Sequence, residues 1–290
     1  MTGAAEKFRV LVTGANGQLG REIALWATAE AEGLDIRGYG RDELDITDLS
    51  QCRAVITAFA PHAVIHCAAY TAVDQAEADP DSAFVVNATG TRNIALAARE
   101  AGAKLAYVST DYVFDGSSAV PYNEYDRPNP RTVYGKSKLA GEELVRTLHD
   151  RHFVVRTSWV YGAYGANFVK TMIKVGAERG AVKVVHDQIG SPTCTFDLAA
   201  MLLELVRTDA YGVYHASNSG TCSWYEFAVA IFEESGMQVS TEPCTTEEFP
   251  RPAPRPAFSV LDHSAIRTNG LTPIRHWREA LRDYLAKQQE

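Results

Sequence analysis

The chain has 290 residues, 46% of them hydrophobic and 22% charged, with a formal net charge of −8. That length accommodates one large α/β domain or a main domain with a smaller lobe, and the composition excludes a disordered or collagen-like chain. The negative charge argues against nucleic acid or an anionic membrane as partner, because both require a basic stripe to neutralise phosphates, so an anionic ligand must find its positive contacts locally.

No apolar run approaches the ~20 residues that span a bilayer. Met1–Lys7 lacks the charged-then-apolar pattern of an export signal and reads as a short leader. Cys52, Cys67, Cys194, Cys222 and Cys244 are odd in number, scattered and free of any C-x-x-C pair. They suggest neither a disulfide framework nor a zinc site, and a reducing cytoplasm is the expected location.

In chain order, Phe8–Thr13 is a short β-branched run ending in Gly14, and Gly17–Ala31 places Leu19, Ile23 and Trp26 on one helical face. The alternation returns as strand Asp35–Tyr39 with helix Leu49–Phe59, strand Ala63–Cys67 with helix Asp81–Ala101, and strand Lys104–Ser109 with a helix over Arg131–Leu148. Phe153–Arg156 and Val182–Val185 supply two more strands, separated by a helix over Asn167–Ala177. Strands alternating with helices imply right-handed crossovers and a parallel sheet covered on both faces. Beyond Tyr161 the pattern loosens, and Pro243–Pro256 contains five prolines, although Ser223–Glu234 and Ile274–Lys287 read as amphipathic helices. The expected organisation is an α/β, Rossmann-type doubly wound parallel sheet over residues 7–157, completed by part of 182–217, with a smaller substrate-binding lobe in 158–290.

Gly14-x-x-Gly17-x-x-Gly20 lies at a strand end and opens a helix, the context that makes a glycine pattern a dinucleotide fingerprint. The missing Cβ atoms permit a tight turn, close approach of a pyrophosphate and close helix–sheet packing, while the helix N-terminus favours phosphate charge. Asn16, Gln18 and Leu19 fall within this turn. Where an acid binding the adenosine ribose is expected, the second strand ends Tyr39-Gly40-Arg41. Arg41 suits a 2′-phosphate, favouring NADPH over NADH, and equally suits a solvated surface position. Asp45 and Ile46 are placed to flank the adenine, and Asp48 to cap the following helix.

Tyr134-Gly-Lys-Ser-Lys138 sets a phenol and an ammonium one helical turn apart. A tyrosine with a pKa of about 10 is a poor acid–base group at neutral pH; a neighbouring cation lowers that value and suits proton exchange with a carbonyl or alcohol oxygen. Ser109 and Thr110 end the fourth strand, where open α/β sheets bind ligands, so a hydroxyl there either positions a substrate oxygen or opens the turn toward Asp111.

These residues, taken together, resemble the extended short-chain dehydrogenase/reductase family in its branch of nucleotide-sugar reductases. The resemblance is carried by Thr13–Gly20, Ala68–Asp74, Ser109–Gly116, Tyr134–Lys138, Arg156–Gly162, Asp187–Thr193 and Arg255–Leu261. It implies a catalytic set of Thr110, Tyr134 and Lys138, with Ala68, Ala69 and Tyr70 along the cofactor. It also implies substrate contacts from Asp111, Tyr112, Val113, Trp159 and Asn167, with Arg255 near the sugar-nucleotide phosphates. Asn87 holds a position that in related enzymes supports the active-site lysine, and a local hydrogen bond is the other reading; Trp159 stacks on ligand or packs in the core. Related 4,6-dehydratases carry Thr-Asp-Glu at the fourth strand, whereas this chain has Thr110-Asp111-Tyr112, which favours ketone reduction over water elimination.

The implied reaction is reduction at C4 of dTDP-4-dehydro-L-rhamnose with NADPH, NADH being possible. The implied partner is a dTDP-sugar, without nucleic acid or membrane. A reductase or epimerase of another nucleotide sugar is the nearest alternative, and an NADP-binding regulatory subunit similar to the β subunit of methionine adenosyltransferase is a non-catalytic one. Monomer and homodimer both remain open, and no carboxylate cluster resolves a Mg2+ site.

Overall fold

Phe8–Thr13 forms β1, and Val10, Leu11, Val12 and Thr13 are fully buried, as a strand covered on both faces requires. The computed structural model describes residues 7–29 and 33–288; the leader up to Glu6 and the expected helix end at Ala31 lie outside them. β1 feeds α1 (Gln18–Ala29), followed by β2 (Leu34–Tyr39), α2 (Leu49–Phe59) and β3 (Ala63–His66). The short helices α3 (Val73–Ala78) and α4 (Pro80–Phe84) lead through a π-helical turn, Val85–Gly90, into α5 (Thr91–Glu100), then β4 (Lys104–Thr110), α6 (Val133–Leu148) and β5 (His152–Thr157). The remainder comprises β6 (Val160–Tyr161), α7 (Phe168–Arg179), β7 (Ala181–Val185), β8 (Ile189–Gly190), β9 (Thr193–Cys194), α8 (Thr195–Leu205) and β10 (Gly212–His215). It ends with β11 (Cys222–Ser223), α9 (Trp224–Glu234), β12 (Ser240–Cys244), α10 (Ser264–Thr268) and α11 (Trp277–Lys287).

Six parallel strands form the main sheet in the order β2-β1-β3-β4-β5-β10. The order reverses between β1 and β3, and open α/β sheets bind ligands at such a switch point. Side chains alternate across the sheet. Val10, Val12, Ile65, Phe153 and Val155 pack with Ile23 of α1 and Leu198 and Leu202 of α8. Leu11, Val64, Leu105 and Val154 pack with Ile56, Ile94 and Val145 from α2, α5 and α6. A separate core joins α7, α9 and α11 through Val169, Phe227, Ile231, Trp277 and Leu281. No helix among the described residues is long and apolar enough to cross a membrane.

Two expectations require correction, and one helix has no counterpart among them. The strand at Val182–Val185 does not join the main sheet: β7 pairs in parallel with β12, and of its residues only Val184 is buried, too few for a position covered on both faces. The sixth strand is β10, paired with β5. The single helix expected over Asp81–Ala101 is three segments, because the Val85–Gly90 turn is π-helical, a local widening often found at functional sites. Finally, α8 is a buried apolar helix that the periodicity did not single out.

A fully buried ion pair ties the middle of the sheet to α6. Arg156 of β5 donates from Nε and Nη2 to the two carboxylate oxygens of Glu142 at 2.9 and 2.7 Å, and Ser109 of β4 donates to Oε1 of the same carboxylate. Arg156 also lies 3.3 Å from Nε2 of His215 at the end of β10. Such a pair contributes little relative to apolar residues, yet removing one partner strands a buried charge at a cost of roughly 3–5 kcal/mol. Arg156→Met should therefore lower the unfolding free energy in urea titrations by about that amount. A smaller loss in Arg156→Met combined with Glu142→Leu would establish the pairing as the cause.

Candidate active site

The turn after β1 is closed by backbone contact. Gly14 has φ +67°, and a Cβ there would lie 2.7 Å from the backbone of Ala68, just past β3. A Cβ on Gly20 would stand 2.3 Å from the carbonyl oxygen of Gly14, so the third glycine lets α1 begin against the turn. Asn16 covers Gly40, whose Cβ would meet the Asn16 amide at 2.3 Å. This packs the turn against the segment carrying Arg41. Asp45 accepts from the backbone and hydroxyl of Thr47 at 2.9 and 2.8 Å, and these bonds hold its carboxyl below the usual range, with Arg41 adding to the effect. Asp48 caps α2 as expected.

Gly14, Asn16, Gly17, Gln18, Leu19, Gly20, Arg41, Asp45 and Ile46 line one end of a cleft of about 1040 Å³. Ala68, Ala69 and Tyr70 line its middle, and Thr110, Asp111, Tyr112, Tyr134, Lys138 and Trp159 its far end. The volume lies at the upper end of those that hold small molecules, about 300–1,000 Å³. The α1 N-terminus carries the N–H groups that helix geometry leaves without intrahelical partners. Buried at the far end are Thr157 Oγ1 and Asp111 Oδ2, side-chain atoms without hydrogen-bond partners. A glycine cradle at one end and orphaned polar atoms at the other fit a dinucleotide with a second polar ligand beside it.

Thr132 caps α6 by accepting from Gly135 N–H at 3.0 Å, fixing the first turn from which Tyr134 projects. A Cβ on Gly135 would lie 2.2 Å from the Tyr112 carbonyl oxygen, so the glycine lets this turn approach the end of β4. The Tyr134 phenol is buried and faces the Thr110 hydroxyl, while its ring meets that of Tyr112 edge-on at 5.6 Å. Lys138 Nζ donates to the Val108 carbonyl oxygen at 2.8 Å and stands 4.1 Å from the centre of the Tyr107 ring. Burial pushes the Lys138 ammonium down to about 7, against the opposing influence of Glu142 and Cys67. The expected lowering of the tyrosine by the lysine is not what this arrangement does. Burial pushes Tyr134 up to about 12, Thr110 opposes the shift and Asp111 adds to it.

Other expected contacts fall outside the cleft lining. Val113 is fully buried with Phe114, Tyr122 and Leu261, because the 3-10 turn Asp111–Val113 sends it into the core. Asn167 caps α7 and donates to Gly162 O and Gln18 Oε1 at 2.9 and 3.2 Å, which spends its polar atoms on structure. Arg255 donates to Asp74 at 2.8 Å, linking the proline-rich segment to α3. Asn87 does not support Lys138 by direct contact. It accepts from Tyr70 N–H and donates to Tyr70 O and Ser137 Oγ at 2.8, 3.0 and 2.9 Å, pinning the Tyr70 segment to α6. Cleft residues that the sequence reading did not give as site residues include Asp81, Ser82, Thr157 and Ser158; the last two lie at the end of β5 and within the Arg156–Gly162 motif, the signals that point to them.

Trp159 has φ +49°, costly for a residue with a side chain, and its indole stacks on Trp224 at 3.6 Å between ring centres. Gly190 lies against the same indole, where a Cβ would approach it to 2.5 Å. Trp159 thus packs on another aromatic, as one of its two expected roles has it, and also lines the cleft.

A parallel sheet with a glycine turn at its switch point and a Tyr/Lys/Thr set at the end of β4 defines an NAD(P)H-dependent oxidoreductase of the extended short-chain dehydrogenase/reductase class. The chain matches the RmlD substrate binding domain family over residues 8–290, and it belongs to that family. It is 45% identical over 280 residues to the dTDP-4-dehydrorhamnose reductase of Streptomyces griseus, covering 94% of this chain and 91% of that one. It is 46% identical to the spore coat polysaccharide biosynthesis protein SpsK of Bacillus subtilis, covering 97% and 98%. Among solved structures, the dTDP-4-dehydrorhamnose reductase of Bacillus anthracis in complex with NADP superposes with a TM-score of 0.94 at 49% identity, over 97% of this chain and 99% of that one.

Gly190→Ala should displace the Trp159 indole from Trp224, read as loss of the stacked-indole signal in near-ultraviolet circular dichroism with little change in the far-ultraviolet spectrum. An unchanged near-ultraviolet spectrum would show that Gly190 does not fix the stack.

Proposed function

We propose that the protein reduces the C4 ketone of dTDP-4-dehydro-β-L-rhamnose to dTDP-β-L-rhamnose in the assembly of cell-surface polysaccharide, with NADPH as reductant. The observation that carries this reading is the convergence of Thr110, Tyr134 and Lys138 in the same cleft as the Gly14–Gly20 turn. Bound NADPH supplies the hydride. Gly14, Gly17 and Gly20 with the α1 N-terminus would hold its pyrophosphate, Arg41 its 2′-phosphate, and Lys138 its nicotinamide ribose.

Thr110 directs the ketone oxygen toward Tyr134. With its acidity weakened by burial, Tyr134 retains its proton at neutral pH until negative charge develops on that oxygen, and then transfers it from Oη. Lys138, poised near neutrality, donates to the Val108 carbonyl oxygen and would stabilise the resulting tyrosinate only on turning from that oxygen toward the phenol. Tyr112, where related dehydratases carry a glutamate, leaves the site without the second acid that elimination uses. The names of the relatives support the nucleotide sugar and, in one solved case, NADP.

Tyr134→Phe should lower kcat for NADPH oxidation with the keto sugar by about 10²- to 10⁴-fold, while the Kd for NADPH, measured by fluorescence titration, stays within about twofold. Wild-type turnover in this variant would remove Tyr134 from the reaction, and a wild-type protein that binds NADPH but never oxidises it would assign a regulatory role instead. Arg41→Ala should raise the Kd for NADPH at least about tenfold, the worth of one charge-assisted hydrogen bond, and leave that for NADH unchanged. Equal losses for both cofactors would place Arg41 away from the 2′-phosphate.

A further inference from the structure

Hydrogen counting at the end of β4 exposes a constraint on Thr110. A hydroxyl has one proton and two lone pairs. Here the Thr110 proton goes to Asp111 Oδ1 at 3.0 Å, and one lone pair accepts from Tyr112 N–H at 3.2 Å. In this arrangement Thr110 can accept from Tyr134 but has no proton left for a ketone oxygen. Asp111 itself is 3% exposed, lines the cleft, and has its second oxygen, Oδ2, buried without a hydrogen bond. We propose that Asp111 is a positioning residue that aims the Thr110 proton: as a carboxylate it captures that proton, and as a carboxylic acid it donates to Thr110 and releases the proton toward the ketone. The inference rests on the reading of Thr110 and Tyr134 given above.

Two features support the neutral acid in the reducing complex. A carboxylate beside Thr110 would stand next to an oxygen that gains negative charge during reduction, and like charges at that separation oppose each other. Burial also pushes the Asp111 carboxyl up to about 6, against the hydroxyls of Thr110 and Ser259 and the backbone N–H groups, all of which favour its charged form. The groups facing it are Thr110 from β4, Tyr112 on its own turn, Tyr134 from α6 and Ser259 from the segment after Arg255. Arg255 acts on Tyr112. Ser259 is buried, its hydroxyl faces the Asp111 carboxyl and favours its charged form without closing a hydrogen bond of normal geometry, and its position is set by its backbone N–H donating to Ile189 O at 2.8 Å. Ser259 can therefore be shortened without moving the chain.

The sign follows from the charge states. The active form carries the proton, so kcat/KM for ketone reduction falls as pH rises through the Asp111 titration, near 6, and falls again as Lys138 loses its charge near 7. The test is the pH profile of kcat/KM between about pH 5 and 9, with saturating NADPH, for the wild type and three variants. In Asp111→Asn an amide N–H donates to Thr110 at every pH. Its maximal rate should fall about threefold, and the alkaline limb should lose one proton of steepness and move up about one pH unit. Ser259→Ala removes a hydroxyl that favours the charged carboxyl, so its limb should move up by about half a unit. If both variants keep the wild-type limb, the proposal is overturned. Thr110→Val separates the two readings: its impairment alongside unmoved limbs sinks only the role of Asp111, whereas its wild-type activity sinks the assignment of Thr110 itself. Should Asp111→Asn fail to fold, the Ser259→Ala limb decides alone.

Discussion

The pairing of Arg156 with Glu142 is the interaction on which the placement of Thr110 and Lys138 depends. It joins β5 to α6, draws in Ser109 from β4 and meets His215 at the end of β10. Thr110 is the residue after Ser109, and Lys138 stands one turn before Glu142, so both are set by elements that this pair locks together. A displacement of α6 along the sheet would separate two buried charges. In the low-dielectric interior that costs more than the pair contributes when intact, so the pair gives α6 one register rather than added stability.

The cleft is shaped by close backbone approaches as much as by side chains. Gly14 against Ala68 brings the ends of β1 and β3 together at the switch point, and Gly135 against the Tyr112 carbonyl sets α6 on the end of β4. The first contact shapes the end lined by the glycine turn and the second the end lined by Thr110, Tyr134 and Lys138. Asn87, within the π-helical turn, ties the intervening Tyr70 segment to Ser137. The widened turn thus has a visible use, since its Asn87 side chain spans from the backbone of one wall to the helix carrying Tyr134 and Lys138.

Much of this was legible from the residues in order. The strand–glycine–helix unit that begins at Phe8 and the positions of Thr110, Tyr134 and Lys138 followed from spacing, because position at a strand end or on a helix face is a local property. Side-chain direction is not. Lys138 turns to Val108 and Tyr107, Val113 enters the core, and Asn167 is used up in capping, each decided by groups distant in sequence. Strand partnership failed for the same reason. V-K-V-V at Val182–Val185 is a better strand by composition than G-V-Y-H at Gly212–His215, yet the edge of β5 accepts the latter, whose Tyr214 and His215 are buried there. Burial likewise overrode the expected effect of a cation on Tyr134, since Lys138 makes its closest contacts elsewhere.

The distance along the chain between β5 and β10 has a consequence for synthesis. Five strands of the main sheet leave the ribosome before the sixth, and domains begin to fold as they emerge. During that interval the β5 edge is open, an invitation to pair with another nascent chain. Arg156 lies in that edge strand, already able to pair with Glu142 of the preceding α6, and His215 adds the last neighbour of its guanidinium. The cluster that fixes α6 on the sheet is therefore complete only when the last strand of the sheet is in place.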